Sequence, residues 1–294
     1  MTEKTKVKVS EEVVVRFSGD SGDGMQLAGN IFSNVSAGIG DEISTFPDYP
    51  AEIRAPQGTL GGVSGFQVHI GKGVHTPGDL ADVLVAMNPA ALKTNACYVK
   101  KGGVVIIDSD SFRASDLEKA ASTTDDPIQE AGLSHAQIVP VAITQMVKDS
   151  LADSGLDNKS IVRCKNMFAL GLVCWLFDRP LEQAQHLLKN KFAKKPAIYE
   201  ANAKVMRDGY NYGNNIHASV STYRVESAQV KPGIYTDVNG NTATAWGLIA
   251  ASEKSGLPLF LGSYPITPAT DILHELAKRK DLGVKAIQVD DEIA

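Results

Sequence analysis

Three stretches of this 294-residue chain combine residue types and spacings that could do chemistry. The first is SGDSGDG, Ser18 to Gly24, which follows the apolar run VVVRF and precedes QLAGNIF, whose apolar residues recur at helical spacing. It reads as a glycine-rich turn between a strand and a helix. Free N–H groups at a helix start favour anions, and Gly19, Gly22 and Gly24 would let a phosphate approach the backbone. The stretch departs from G-x-G-x-x-G, because Leu27 stands where the third glycine belongs, and no Lys-Ser/Thr follows to make a P-loop. Asp20 and Asp23 would also repel phosphate, so a generic NAD site is disfavoured. A tight turn that uses glycine only for backbone reasons stands as the alternative. The second stretch, FPDYPAEIRAPQGTLGGVSGFQVHIG (46–71), is a long Pro/Gly-rich loop leading into an alternating strand. Arg54, Thr59 and Ser64 could meet a ligand carboxylate or phosphate there, or Arg54 pairs with Asp48 or Glu52. The third, GSYPITPATDIL (262–273), places Pro265 and Pro268 on either side of Ile266-Thr267. The two prolines either hold Thr267 still at the carboxyl end of a strand, or Pro268 merely opens a helix with Thr267 as its N-cap.

The elements that position these residues follow from periodicity. Val13 to Gly19 is a strand followed by a helix, and ADVLVAMN (81–88), PAALKTNACYV and GGVVIIDSD (102–110) repeat strand, helix, strand. Short apolar strands alternating with helices argue for a parallel sheet covered on both faces. Lys165 to Leu188 reads as helical, and KKPAIYEANAKVMRDGYNYG as a closing helix. Residues 216–240 carry Pro-Gly and Asn-Gly turn signals and read as a connection. NTATAWGLIAASEKSG, LPLFLGSYP, ITPATDILHELAKRK and VKAIQVDDEIA then read as helix, strand, helix and strand. The expected class is α/β, with a Rossmann-like domain over 11–215, a linker over 216–240 and the opening of a second α/β domain over 241–294. About 55 residues are too few to bury a doubly wound core alone, so the chain reads as cut in mid-domain.

Composition narrows the function classes. Hydrophobic residues at 43% against 21% charged supply ordinary globular cores, and a net charge of -5 with mixed signs leaves no basic face for nucleic acid. No apolar leader segment and no run of about 18 apolar residues occurs, so no membrane association and a cytoplasmic location are expected. Cys97, Cys164 and Cys174 contain no C-x-x-C and could not by themselves hold an iron–sulfur cluster or a four-cysteine zinc. His69 and His75 lack ligand spacing, and Asn166, Trp175 and His274 read as core or cap residues.

FSGDSGDGMQLAG, YPAEIRAPQGTLGGVSGFQVHIG, GSYPITPATDILHELA and QVDDEIA, in this order and spacing, resemble the fused alpha subunit of the 2-oxoacid:ferredoxin oxidoreductases, most closely the 2-oxoglutarate type. The resemblance covers nearly the whole chain, with the first domain similar to the family's gamma domain and the second to the opening of its pyrimidine-binding, transketolase-like domain. It implies thiamine diphosphate-dependent oxidative decarboxylation: a 2-oxoacid and coenzyme A give acyl-CoA and carbon dioxide, with electrons passed to ferredoxin. It also implies a beta subunit that shares the thiamine diphosphate and alone holds magnesium and the iron–sulfur cluster, and through which ferredoxin is reached. That agrees with the cysteine spacing and with the magnesium motif: Gly22-Asp23-Gly24 imitates its opening, but the window PDYPAEIRAP lacks the Asn ligand. By resemblance Glu292 meets N1′ of the aminopyrimidine, with Asp290 and Asp291 as neighbouring carboxylates. Asp290 departs from the more usual Glu-Asp-Glu, and a charged helix start is the plainer reading of all three. Thr267 would bind the substrate carboxylate, Tyr264 would shape the pocket, and Gly19 to Gly24 with Arg54 would serve coenzyme A or a subunit contact. Within the family, pyruvate, a branched-chain 2-oxoacid or indolepyruvate are alternative substrates. A non-catalytic scaffold that binds a nucleotide is the alternative outside it.

Overall fold

The computed structural model describes residues 7–52, 55–216, 220–228, 230–231, 233–291 and 293. The chain divides into two compact units, Met1–Val230 and Lys231–Ala294.

The first unit runs β1 (Val7–Ser10), β2 (Glu12–Asp20), α1 (Met25–Gly38), β3 (Glu42–Asp48), β4 (Val63–Gly71), β5 (Ala81–Ala86), α2 (Pro89–Asn95), β6 (Val99–Asp108), α3 (Ala114–Lys119), α4 (Pro127–Glu130), β7 (Gln137–Val141), α5 (Ile143–Ser150), α6 (Asn158–Val162), α7 (Lys165–Leu176), α8 (Leu181–Lys191), α9 (Pro196–Ile216) and β8 (Thr222–Val225). Its main sheet has the order β3-β4-β2-β5-β6-β7. The pairs β2–β5, β5–β6 and β6–β7 are parallel, as the alternation of strands and helices requires. The other side is antiparallel: β4 pairs with β2 and β3 with β4. Residues 46–48, expected in a loop, therefore belong to an edge strand, tolerable for Pro47 because an edge leaves backbone donors unpaired.

Alternation along β2 sorts its side chains. Val13, Val15 and Phe17 enter a core shared with α1, α5, α7, α8 and α9, in which Phe17, Phe32, Phe168 and Phe177 are each buried. Burial of this kind contributes about 1.5–3 kcal/mol per large side chain. On the opposite face α2 packs its Ala90, Ala91 and Leu92 against Leu84, Val105 and Ile107. The chain thus leaves β2 toward one face and β5 toward the other, which makes the carboxyl ends of these two strands a topological switch point. β1 and β8 form a separate parallel pair, with Val7 opposite Thr222. The stretch 216–240, expected as a connection, therefore contains a strand, and its Tyr223 stacks on Phe177 at 5.1 Å between ring centroids.

The second unit comprises α10 (Gly240–Ser255), β9 (Phe260–Ser263), α11 (Thr270–Ala277) and β10 (Lys285–Gln288). The Asn239 side chain caps α10 by accepting from Thr242 N, and Gly256 ends it in the left-handed region at φ 70°. β9 and β10 are parallel, with Ser263 opposite Gln288. Ala245, Leu276 and Val284 form a small core with Leu261 and Ala286, while Phe260 and Ile287, on the alternate face of the strands, are exposed. No helix among the described residues is long and apolar enough to cross a membrane.

Candidate functional site

At the end of β2 the glycine-rich turn closes on itself. Asp20 N donates to Asp23 Oδ2 at 3.0 Å, and Gly58 N donates to both Asp20 carboxylate oxygens at 3.0 and 3.1 Å, tying the loop before β4 to the turn. Lys165, the first residue of α7, pairs with Asp23 at 3.1 Å with both side chains nearly buried. Burial above all, with the charge of Asp23 beside it, pushes the Asp20 carboxyl upward; the Gly58 N–H, Asn88 and Lys165 act against that rise. Gly24 stands at φ 74° as the N-cap of α1, and a Cβ there would run into the Asn166 amide, which donates to Gly24 O at 3.1 Å. A Cβ on Gly19 would lie 2.8 Å from Asp23 Oδ2, whereas the nearest atom to one on Gly22 is 3.6 Å away. Glycine at 24 and 19 thus has a packing reason in the folded chain, and the mouth of the switch point carries two carboxylates and one ammonium. That balance disfavours a bare phosphate there.

The long loop is partly accounted for. Thr59 Oγ1 donates to Pro56 O, and Ser64 Oγ to Asp48 O, so both hydroxyls serve the loop itself. Arg54 lies outside the described residues. Asp48, a candidate partner for it, is held by Arg16, whose NH2 donates to Asp48 Oδ2 at 2.5 Å.

Arg16 and its surroundings were not singled out from the sequence. Its register partner on β4 is Gln67, which in turn faces Phe46 on β3, so one row of the sheet face reads Arg16, Gln67, Phe46. Arg16 is 5% exposed; its Nε donates to Asn95 Oδ1 at 2.5 Å and its NH1 to Gln67 Oε1 at 3.0 Å. The signal was the alternation in VRFS (15–18) and QVHI (67–70), which puts Arg16, Ser18, Gln67 and His69 on the face away from Phe17 and Val68.

In the second unit, Tyr264 to Ala269 form the turn between β9 and α11. Thr267 is exposed, and the Thr267–Pro268 peptide is cis. The N-cap of α11 is Ala269, so Thr267 does not cap that helix. Asn241 at the start of α10 donates to Pro268 O at 2.9 Å and fixes the turn. Val289 N donates to Ser263 O at 3.0 Å, so the acidic segment that begins at Asp290 leaves the sheet beside Tyr264. The structure thereby brings the Y-P-I-T-P turn and the acidic segment together at the carboxyl ends of two paired parallel strands, where α/β sheets place ligands. Glu292 itself lies outside the described residues. Among the described residues no group of three or more His, Cys, Asp or Glu could hold a metal ion. Asn166 and Trp175 are buried, and Trp175 Nε1 donates to Asn214 Oδ1 at 3.0 Å.

A mixed sheet with helices on both faces and a glycine-rich turn at its switch point makes the first unit a Rossmann-like α/β domain. The chain belongs to the pyruvate ferredoxin/flavodoxin oxidoreductase family, which matches residues 14–212. It is 48% identical over 284 residues to the 2-oxoglutarate oxidoreductase subunit KorA of Mycobacterium tuberculosis, covering 96% of this chain and 43% of that protein. A more distant relative, the pyruvate/ketoisovalerate oxidoreductases common subunit gamma of Thermococcus kodakarensis, is 26% identical over 202 residues, 68% of this chain and 96% of that subunit. The 2-oxoglutarate:ferredoxin oxidoreductase from Magnetococcus marinus, solved with 2-oxoglutarate, coenzyme A and succinyl-CoA bound, superposes with a TM-score of 0.72 at 25% identity. That match covers 97% of this chain and 44% of that one. The chain thus spans less than half the length of the relatives that match it end to end.

Proposed function

We propose that the chain is the gamma domain and the opening of the pyrimidine-binding domain of a fused alpha subunit. Its enzyme oxidatively decarboxylates 2-oxoglutarate with coenzyme A to succinyl-CoA and carbon dioxide, reducing ferredoxin. The observation that carries the reading is the meeting of Tyr264–Thr267 with the acidic segment at the ends of β9 and β10. The 48% identity to a 2-oxoglutarate oxidoreductase subunit, against 26% to a pyruvate/ketoisovalerate one, favours 2-oxoglutarate within the family. The domain limits proposed are 11–215 and 241–294, with 216–240 between them.

Thiamine diphosphate supplies the carbanion chemistry by which carbon dioxide leaves a 2-oxoacid. The donor set fits such a group: the turn presents an exposed hydroxyl, Thr267, with Tyr264 beside it, and a carboxylate-rich segment starts one strand away. Glu292 is the residue proposed to hold a proton against a weakly basic ring nitrogen, a task that suits a carboxyl whose pKa desolvation has raised. Thr267 donates to the substrate carboxylate, and its turn, stiffened by Pro265 and Pro268 and pinned by Asn241, lowers the ordering cost of binding. Tyr264 borders the substrate. Magnesium and the iron–sulfur cluster belong to the beta subunit, which also reaches ferredoxin, and Gly19, Gly22, Gly24 and Arg54 remain candidates for coenzyme A or subunit contact.

The test is 2-oxoacid- and coenzyme A-dependent viologen reduction, under argon, by the full-length subunit assembled with its beta-type partner. Glu292→Gln is expected to abolish reduction and Thr267→Val to raise the Michaelis constant for 2-oxoglutarate. Full activity in Glu292→Gln would refute the assignment, and a substrate panel decides among the 2-oxoacids.

A further inference from the structure

In the first unit, a cleft of about 780 Å³ opens on the sheet face that α2 leaves uncovered. Its floor is Arg16 and Gln67, with Phe46 and Asp48 from β3 on one side and Cys97 and Tyr98 from the turn after α2 on the other. The volume falls within the range of small-molecule sites, roughly 300–1,000 Å³.

The floor is built and rigid. Arg16 is clamped by Asn95, Gln67 and Asp48, and Tyr98 covers its guanidinium at 4.9 Å from the ring centroid. Gln67 Nε2 donates to Pro77 O and Gly78 O, so the loop that completes the cleft is pinned to β4. These bonds use three of the five guanidinium N–H groups, one each on Nε, NH1 and NH2. The second N–H on each terminal nitrogen and Asp48 Oδ1 are not among the hydrogen bonds found between described residues. Asp48 is 40% exposed in its side chain and lines the cleft. The floor therefore offers a donor beside an acceptor, neutral as a pair, under an aromatic wall: Phe46 is half exposed. Neutrality disfavours a phosphate or carboxylate as the group read. The complement of the edge is a flat ring with an acceptor nitrogen next to an exocyclic amine, the pattern adenine shows at N7 and its 6-amino group.

We propose that this cleft binds an adenine base, stacked on Phe46 with its amine on Asp48 and its ring nitrogen on Arg16. The site is separate from the glycine-rich turn and independent of the oxidoreductase reading. Free adenine nucleotides and coenzyme A carry the same base.

Cys97 provides the readout, because it lines the cleft and is exposed, whereas Cys164 and Cys174 are buried and burial pushes their thiols up to about 11 and about 12. The rate of N-ethylmaleimide labelling of Cys97 in the full-length subunit, followed by peptide mass, is measured against adenosine, AMP, desulfo-coenzyme A, which has no thiol to consume the reagent, and inosine. Saturable protection by adenosine and AMP is expected, with inosine at least about tenfold weaker because its 6-oxygen would face the Asp48 carboxylate. Phe46→Ala, at an exposed position, should weaken adenosine protection about tenfold. Asp48→Asn should abolish or reverse the preference for adenosine over inosine. Protection at lower concentration by desulfo-coenzyme A than by AMP assigns the base to coenzyme A, and the reverse order to a free nucleotide. No saturable protection by any adenine compound, equal protection by adenosine and inosine, or protection unchanged in Phe46→Ala would overturn the proposal.

Discussion

Lys165→Met should be among the more damaging single substitutions near the glycine-rich turn, although Lys165 belongs to no motif. Its ammonium lies 3.1 Å from Asp23 Oδ1, and the two side chains are 13% and 12% exposed. At that distance the attraction is about 5 kcal/mol for an effective dielectric constant near 20, before desolvation is subtracted. Removing the lysine leaves the nearly buried Asp23 carboxylate beside Asp20, whose own pKa is already raised. Breaking one side of such a pair costs about 3–5 kcal/mol. Asp23→Asn keeps an oxygen for the Asp20 N–H and so should cost less. The double variant should recover about 2 kcal/mol or more relative to Lys165→Met, because no charge is then left alone. Urea unfolding of residues 1–294 at pH 7, followed by Trp175 fluorescence in a Trp246→Phe background, reports on the first unit. If Lys165→Met falls within about 0.5 kcal/mol of its parent, or if the two substitutions simply add, the turn is not held by this pair.

Two further outcomes test the packing. A Cβ on Gly209 would overlap the Phe168 carbonyl oxygen where α9 crosses α7, so Gly209→Ala should cost about 3 kcal/mol or more and lower the melting temperature by several degrees; a melting temperature within a degree of the parent would refute that close crossing. Asp41 is paired with Arg179 at 2.7 Å and buried, and that burial pushes its carboxyl from 3.8 up to about 6. A carboxyl raised on folding contributes stability that is full below its unfolded pKa and lost as pH rises through the folded value. The stability difference between the parent and Asp41→Asn should therefore shift toward the Asn variant by about 2–3 kcal/mol between pH 4 and pH 7. A difference that does not vary with pH in urea titrations would count against it.

Much of the fold was legible because its signals are local. β2, β5 and β6 carry apolar runs, and α7 is free of polar side chains from Met167 onward and buried at every residue after Lys165. The antiparallel pair β3–β4 was harder. Glu42–Asp48 carries no strict alternation, holds a proline at an edge position, and owes its strand conformation to pairing with β4, whose register partners lie 17 (Asp48 with Gly65) to 29 (Glu42 with Gly71) residues away in sequence. β8 was hidden for the same reason: Thr222–Val225 is too short to announce itself and forms by pairing with Val7–Ser10 across the whole first unit. Long-range pairing of this kind leaves little trace in a window of a dozen residues.

The site divides along the same line. Thr267 and Tyr264 could be singled out because two prolines mark a turn in any context, and the strand ends then bring that turn to the acidic segment. What the glycines of SGDSGDG do was less legible, since glycine reports a backbone requirement without saying who imposes it. In the folded chain Asn166, 142 residues away, imposes it at Gly24, and the Asp23 carboxylate, locked by Lys165, imposes it at Gly19. The acidic residues that argued against a phosphate in the sequence turn out to be the fasteners of the turn and of the loop at Gly58. A turn whose carboxylates are committed to its own closure presents fewer free groups than its composition suggests. Uncommitted donors and an acceptor lie instead three residues before Gly19 along β2, on the other side of the pleat, where Arg16 meets Asp48.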